Sequence, residues 1–568
     1  MTGAEYLLKC LEQQGVECIF GYPGGAIMPV YDALYDSSIR HYLCRHEQGA
    51  ALAADGFARA SSKVGVCLAT SGPGATNLIT GLANAFMDSI PMVAITGQVA
   101  SHLMGTDAFQ EIDTFGLSMA VVKHSFLIES PIDIAAVVNA AFALARDGRP
   151  GPVLIDFPKD IQMAEVAPVP IVAELTANHE QHDSGCEVAL SAQDIEQFWR
   201  MLSASCKPLL YVGGGIKGEV KERLLQQLIA QLAIPMVTTL NAVGFASEHS
   251  LNLGMLGMHG HVAANVAVQE CDLLLAFGVR FDDRATGNLA KFAPHAKVIH
   301  IDVDASELAK LRQPHLAIQC DLAVALEHLN SSKQLETASL HHDAWRENCR
   351  QQKQQHVWQY NNPAAGIYAP RLLRDISARC PDNTIFTCDV GQHQMWVAQH
   401  CQFSSPRHHL SSGGLGTMGF GLPAAIGAMV ACPEATVINV TGDGSFAMNV
   451  QELMTLKRYQ LPLKILLIDN QSLGMVRQWQ HLFFKDRFSE IDLSDNPDFV
   501  TLGHAFGLAA KRIESAEQES AGIDWLLAQT EPSLLQVCIS NQENVWPLVP
   551  PGSGNHEMLK GEHQNEKN

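Results

Sequence analysis

Two strand ends in the last third of the chain constrain its fold more than any other feature. Residues 437–441 read as an apolar strand running into Gly442-Asp443-Gly444-Ser445, and residues 464–468 as another running into Asp469-Asn470. Asp443 and Asn470 lie 27 positions apart (470 − 443), room for one helix over 449–459 and a short return. The two strands are therefore expected to lie parallel and adjacent. Ligands in open parallel sheets bind at the carboxyl ends of strands. At that edge Asp443 and Asn470 offer hard oxygen atoms to a Mg²⁺-like ion, and the carbonyl of Ser472 can turn back as a third. Glycine amides and a helix N-terminus following Ser445 face a diphosphate. The pattern suits a metal-bound diphosphate cofactor better than a bare nucleotide pocket. The competing reading is a strand-end turn followed by an asparagine cap.

A chain of 568 residues is expected to hold three or so domains. Its formal net charge of −21 argues against nucleic acid or an anionic membrane as partner. No uncharged apolar run reaches the ~18 residues of a membrane span. No signal or transit segment is visible, and Thr2-Gly3-Ala4-Glu5 reads as a capping box that opens a helix at once. The 14 cysteines are scattered, with Cys67, Cys388 and Cys538 inside apolar strands and no CxxC pair. They read as small buried hydrophobes in a reducing cytoplasm.

Helix and strand alternate over the first unit, 1–165, with helices over 5–14 and 77–87 and strands over 18–20, 66–70, 92–96 and 153–157. Residues 166–190 read as a linker. A second unit, 190–330, has a helix over 193–202 and strands over 209–212, 236–239, 273–277 and 298–302. The segment 331–367, rich in Gln and His, is expected to wrap the surface. A third unit, 368–545, has strands over 384–388, 437–441, 464–468 and 534–539. The tail, 546–568, loses periodicity from Gly552 onward, and its final residues are expected to be mobile. The fold class is α/β, with three doubly wound parallel-sheet domains, the first and third alike.

With these residues the chain resembles the thiamine-diphosphate enzymes. Arg45-His46-Glu47-Gln48-Gly49-Ala50 is similar to the segment that carries the family's activating glutamate. Ser411-Ser412-Gly413-Gly414-Leu415-Gly416-Thr417-Met418-Gly419-Phe420 is similar to the segment that bends the cofactor into a V, with Gly416 and Met418 against it. Thr106-Asp107-Ala108-Phe109-Gln110-Glu111, Gly148-Arg149-Pro150-Gly151-Pro152, Phe281-Asp282-Asp283-Arg284 and Gly474-Met475-Val476-Arg477-Gln478-Trp479 together resemble the catalytic large subunits of acetohydroxyacid synthase (acetolactate synthase). The short N-terminus and the residues around Trp479 are most similar to the bacterial isozyme II group. The resemblance runs from Gly3 to about Leu559.

The resemblance implies three cofactors: thiamine diphosphate, Mg²⁺ and FAD. Glu47 becomes the catalytic residue, a carboxylate that hydrogen-bonds the aminopyrimidine ring and so activates the cofactor toward pyruvate. Gly391, Gln392, His393, Gly442, Asp443, Gly444, Ser445, Asn470, Gly474 and Met475 surround the diphosphate, with Asp443, Asn470 and Ser472 on the metal. In the second unit Gly213, Gly215 and Gly218 satisfy G-x-G-x-x-G, a weak signal alone. Asp302 ends a strand where an acid meets a ribose hydroxyl. Spacing leaves a ligand-free glycine turn open. The resemblance assigns Gly213, Gly214 and Gly215 to FAD, together with Arg149, Thr239, Leu240, His259 and Gly278. Val279, Arg280, Asp282, Arg284, Asp302, Val303 and Asp321 complete that set. The flavin is expected to be structural, because the family's overall reaction involves no net oxidation.

Phe109, Gln110, Lys159, Met258, Arg284 and Trp479 match substrate-pocket positions. Arg284 is expected to pair with the carboxylate of the second keto acid. Trp479 is expected to favour the extra methylene of 2-ketobutyrate over pyruvate, a preference of about 1–3 kcal/mol. In the family Glu47 and the diphosphate clamp come from different subunits, so a homodimer or dimer of dimers is implied, along with a small regulatory subunit. The implied role is the first common step of branched-chain amino acid biosynthesis. Two other readings compete. A flavin-linked pyruvate oxidase of the same fold is disfavoured by Trp479, by the Phe281-Asp282-Asp283-Arg284 run and by the lack of a membrane-binding C-terminal helix. A non-catalytic homologue would have lost the metal pair or Glu47. Where the family often has Asn-Asn this chain has Asp469-Asn470, which keeps the ligand and changes the hydrogen bonding beside it.

Overall fold

The structure, a computed structural model, describes residues 1–167, 190–337, 342–360 and 366–561. The expected linker therefore falls almost wholly outside the described residues, as does the end of the tail, 562–568. Thr2 caps the helix Gly3–Gln13, and Glu5 returns the bond to complete the capping box.

Among the described residues three parallel sheets of six strands each carry the fold. The first holds β1 (Cys18–Gly21), β2 (Arg40–Leu43), β3 (Gly65–Ala69), β4 (Met92–Gln98), β5 (His124–Leu127) and β6 (Pro152–Pro158), in the order β2-β1-β3-β4-β6-β5. The central sheet holds β7 (Pro208–Val212), β8 (Met236–Thr238), β9 (Asn252–Met255), β10 (Leu273–Phe277), β11 (Lys297–Asp302) and β12 (Leu316–Gln319), in the order β12-β11-β10-β7-β8-β9. The third holds β13 (Ile385–Cys388), β14 (His409–Ser411), β15 (Val437–Gly442), β16 (Lys464–Asp469), β17 (Ala509–Ile513) and β18 (Ser533–Cys538), in the order β14-β13-β15-β16-β18-β17. The order in which the chain lays down strands reverses near the middle of each sheet: between β1 and β3, between β7 and β10, and between β13 and β15. Each reversal opens a crevice at the carboxyl ends of the strands. The central order is the one found in dinucleotide-binding sheets.

The expected strands match the four interior strands of each sheet, and the two edge strands of each (β2 and β5, β9 and β12, β14 and β17) escaped. Interior strands are covered by helices on both faces, so they read as unbroken apolar runs. β3, β10 and β16 are buried throughout, whereas β2 and β17 are partly exposed.

Two local expectations need correction. The expected helix over 449–459 is broken: one helix runs Asp443–Met448, a 3-10 turn follows at Val450–Glu452, and a second helix runs Leu453–Tyr459. Asn449 causes the break, since its side chain leaves the helix to donate Nδ2 to the carbonyl of Gly419 at 2.7 Å. The segment 331–367 does more than cover the surface. Its helix Asp343–Gln355 buries Trp345 and Cys349, and Trp345 Nε1 donates to Pro208 O at 2.9 Å.

The first and third units meet where helix Glu47–Ser61 crosses helix Gly421–Ala431 with the backbones touching. A Cβ on Gly56 would fall on Ala424, and one on Gly427 on the carbonyl of Ala53. Past Val545 the tail turns back over the central unit. Val549 N donates to Met258 O at 2.8 Å, Pro547 O lies 3.0 Å from His259 Nδ1, and Asn555 Nδ2 donates to Ala285 O at 2.9 Å. Among the described residues no helix is long and apolar enough to cross a membrane, and every cysteine is free.

Candidate functional site

At the reversal of the third sheet, β15 and β16 pair in parallel and end together, Gly442 opposite Ile468. Asp443 follows the first and Asn470 the second, and both residues line one cleft. Asp443 is buried, and Asn496 Nδ2 donates to its Oδ2 at 3.2 Å. Burial first, and then the neighbouring Asp469, push the Asp443 carboxyl up to about 7. Gln471 takes a left-handed turn with φ +53°, which brings Ser472 N onto Asn470 Oδ1 at 3.1 Å. Asn470 Nδ2 in turn reaches Gln392 Oε1 at 3.4 Å. No group of three or more His, Cys, Asp or Glu side chains able to hold a metal occurs among the described residues. One carboxylate, one amide oxygen and Ser472 make a partial set. A Mg²⁺ ion completes such a set with phosphate oxygens and water.

The other wall is bare backbone and a histidine. A Cβ on Gly391 or Gly442 would lie 2.8 or 2.9 Å from the His393 ring, and one on Gly444 2.9 Å from Leu473 Cδ2. His393 is buried and neutral, its pKa pushed down to about 3 by burial, and its Nε2 has no partner. An unpartnered buried nitrogen lining a cleft marks a place where a ligand oxygen fits. Ser445 Oγ donates to Val390 O at 2.9 Å and ties the two strand ends together. Met418 and Met475 line the same cleft, and Gly416 bends the approach to Met418 with φ +70°. Gly474 opens the helix Gly474–Phe483 and leaves no room for a side chain, since a Cβ there would fall on Gln392 and Asn470. Farther along that helix the half-buried Trp479 packs edge-on against Phe483 at 5.4 Å.

Three supporting residues escaped the sequence reading. Asp389, fully buried after β13, accepts from Gly419 N at 2.8 Å and Gly421 N at 3.2 Å, so it anchors the Met418 segment. Burial raises its carboxyl to about 6. Gln478 donates to Val545 O and accepts from Val545 N, both at 2.9 Å, and also accepts from Gln392 at 3.1 Å. Glu452 accepts from Arg45 N at 2.8 Å and His46 N at 3.1 Å, fixing the turn before Glu47. Each is a polar residue whose partner lies in a distant segment. The only hint in sequence was a carboxylate directly after an apolar strand, at Asp389.

Glu47 starts its helix and is buried, at 9 % exposure. Its Oε2 accepts from Asn77 Nδ2 at 3.0 Å. It does not line the Asp443 cleft, so one chain does not bring the two into the same cavity.

The central crevice gathers the dinucleotide candidates at one sheet edge. Gly213, Gly214 and Gly215 follow β7, Thr239 and Leu240 follow β8, and Met258 and His259 lie beyond β9. Gly278, Val279, Arg280, Asp282 and Arg284 follow β10, Asp302 and Val303 close β11, and Asp321 follows β12. The glycines allow a close approach of two turns: Gly215 N donates to Gly278 O at 3.1 Å, and a Cβ on Gly215 would lie 2.8 Å from Gly278 Cα. Thr239 Oγ1 is buried and unpartnered. Burial raises Asp302 to about 6 and lowers His259 to about 4. Arg149 arrives from the first unit and pairs with Glu307 at 3.2 Å and Asp304 at 3.5 Å. Asp282 and Asp321 cap short helices, and Asp321 also pairs with Lys221 at 3.0 Å.

The substrate candidates come together in part. Arg284 Nη1 lies 3.6 Å from Met258 Sδ, with its guanidinium largely exposed and 3.9 Å from Asp283. Phe109 is 87 % exposed, Gln110 holds φ +61° against Gly72, and Lys159 opens a short helix, all on the first unit.

Three family matches fall on the chain, one on each sheet. Thiamine pyrophosphate enzyme, N-terminal TPP binding domain, matches residues 1–117; the central domain matches 195–329; and the C-terminal TPP binding domain matches 389–537. The acetolactate synthase isozyme 2 large subunit of Escherichia coli (strain K12) is 54 % identical, over 99 % of this chain and 100 % of that protein. The acetolactate synthase large subunit of Cyanidium caldarium is 44 % identical, over 98 % and 96 %. The probable acetolactate synthase large subunit of Methanocaldococcus jannaschii is 45 % identical, over 97 % and 94 %.

Proposed function

The chain belongs to the acetolactate synthase large-subunit family of thiamine pyrophosphate (thiamine diphosphate) enzymes, and from that membership we propose its reaction. Pyruvate loses CO₂ and its two-carbon unit passes to a second pyruvate, giving 2-acetolactate, or to 2-ketobutyrate, giving 2-aceto-2-hydroxybutyrate. This serves the first common step of branched-chain amino acid biosynthesis in the cytoplasm, with a small regulatory subunit as partner. Residues 1–165, 190–330 and 368–545 act as pyrimidine-side, flavin and diphosphate domains, and 546–568 as the tail.

The observation that carries the reading is the cleft in which Asp443 and Asn470 face bare glycine backbone and the unpartnered Nε2 of His393. These residues fit a Mg²⁺ diphosphate: Asp443, Asn470 and Ser472 take the metal, and His393 with the amides after Gly442 takes phosphate oxygens. Thiamine diphosphate, when bound, supplies the electron sink for decarboxylation. Glu47 has one oxygen held by Asn77 and the other available to a ring nitrogen, where it holds the proton that switches the ring between tautomers. Because Glu47 lies outside the Asp443 cleft of its own chain, the reading calls for a second copy, hence a homodimer or a dimer of dimers. Arg284 takes the carboxylate of the acceptor keto acid, and Trp479 walls its side chain. The central crevice suits FAD in a structural role, supported by the strand order and by the buried, unpartnered Thr239 Oγ1.

The test is a product assay with pyruvate and 2-ketobutyrate, thiamine diphosphate and Mg²⁺, with and without FAD. Both acetohydroxy acids are expected, without consumption of oxygen. Oxygen or quinone reduction in step with pyruvate loss sinks the reading in favour of an oxidase.

A further inference from the structure

Helix Pro73–Asp88 ends in a carboxylate that is 0 % exposed. An acidic side chain at a helix C-terminus opposes the helix dipole, so the groups around Asp88 have to compensate. Four donors do so, and they come from all three units. Arg59 Nη2 reaches Asp88 Oδ2 at 2.9 Å, and Gly413 N reaches the same oxygen at 2.9 Å. Gly414 N donates to Oδ1 at 2.8 Å, and Asn241 Nδ2 to Oδ1 at 3.1 Å. A carboxylate has about four acceptor sites, so Asp88 is saturated.

The two protein segments that meet on this carboxylate matter to different cofactors. On one side is the Ser411–Phe420 stretch that carries Gly416 and Met418 to the thiamine cleft. Arg59 holds it again through Ser411 O at 3.1 Å, and Asn84 accepts from Ser412 Oγ at 2.6 Å and Thr417 Oγ1 at 3.1 Å. On the other side is the 3-10 turn Leu240–Ala242 at the edge of the central crevice. A Cβ on Gly214 would lie 3.2 Å from Asn241 Cβ, so the glycine loop and this turn are in contact. We propose that Asp88 is a positioning residue, through which the dinucleotide-side turn at Asn241 and the thiamine-side loop at Gly413–Gly414 hold each other in place. Filling the central crevice steadies Asn241, Asn241 steadies the carboxylate, and the carboxylate steadies the loop that presents Met418. A flavin with no electron transfer to perform then still acts on the thiamine site. The inference rests on the reading that FAD occupies the central crevice.

Binding linkage tests it, because each ligand must change the other's affinity by the same factor. Full-length protein with Mg²⁺ is titrated with thiamine diphosphate by tryptophan fluorescence, without and with saturating FAD, and with FAD by flavin fluorescence in the reverse arrangement. Wild type is expected to show mutual tightening of about tenfold. Asn241→Ala is expected to bind each cofactor alone within about threefold of wild type and to lose the tightening to below twofold, and Asn241→Ser should do the same. A packing role alone would shift the single affinities and leave the linkage intact. Undiminished linkage in the Asn241 variants, or two cofactors that bind wild type independently, overturns the proposal while leaving the flavin assignment standing. Wild-type protein that takes up no FAD removes that assignment and this inference together.

Discussion

The first and third sheets share one strand order, yet their carboxyl ends are built for different work. In the third, β15 runs into Gly442 and Asp443, and the helix that follows begins at Asp443 with residues that all carry a backbone N–H. At the matching place in the first, β3 runs into Thr70, Ser71 and Gly72, and the helix begins at Pro73, which has no N–H to offer an anion. The space is also filled: Thr70 Oγ1 accepts from Ala26 N at 3.2 Å, and a Cβ on Gly24 would meet the Thr70 side chain at 2.5 Å. Nearby stands Glu47, held by Asn77. Topology opens a crevice in both sheets, and in the function proposed above a few strand-end residues decide whether it takes a metal and phosphate or lends a carboxylate.

The contrast breaks most severely at Asp443. Asp443→Ala is expected to lower kcat/KM by about 10⁴-fold, since the metal's charge stabilisation is worth several kcal/mol. Equilibrium dialysis should show thiamine diphosphate no longer retained in the presence of Mg²⁺, and retention near wild type would erase the distinction between the two sheet ends. Glu47→Gln tests the other end. It should keep the fold and cofactor binding while kcat falls by about 10²–10⁴-fold, the usual worth of a proton-transfer group. A kcat near wild type would leave the first sheet without a chemical role. Trp479→Leu should act only on choice between acceptors, shifting the product ratio toward acetolactate by about tenfold in a competition assay.

The smallest effect concerns both sheets and the central unit together. Burial holds His41, His259 and His261 down to about 4 and His393 and His409 to about 3. An unfolded histidine titrates near 6.5, so as pH falls below that the unfolded chain binds protons that the folded chain refuses. Their stability contribution is full above about 6.5 and is lost as pH falls toward 4. Asp156, Asp302 and Asp389, raised to about 6 by burial, and Asp443, raised to about 7, act in the opposite sense, stabilising at low pH and losing that contribution as pH rises through 6 to 7. Five histidines outweigh four aspartates, so the cofactor-free protein should melt a few degrees lower at pH 5.5 than at 7.5 by calorimetry. An equal or higher midpoint at pH 5.5 would contradict neutral buried imidazoles.

What could be read from sequence follows burial. β15 and β16 announce themselves because residues such as Val440 and Leu466 are covered on both faces, and Asp443 and Asn470 stand out at their ends. β14 is three residues with a histidine and a serine, and β17 carries Lys511 and Arg512, so neither shows an apolar run. The helix over 449–459 was misplaced because the bond from Asn449 to Gly419 comes from a segment thirty residues away. The same holds for Asn496 on Asp443 and Asn241 on Asp88, polar pairs that local periodicity does not encode.

The returning tail has a consequence for how the protein is made. Met258 and His259 precede their supports, Pro547 and Val549, by nearly three hundred residues, so the supports are translated well after them. Domains generally fold as they leave the ribosome. The central sheet can pair its strands early, but the rim of its crevice stays unbuttressed until nearly three hundred further residues have emerged (547 − 259 = 288). A flavin bound during synthesis would meet an unfinished pocket.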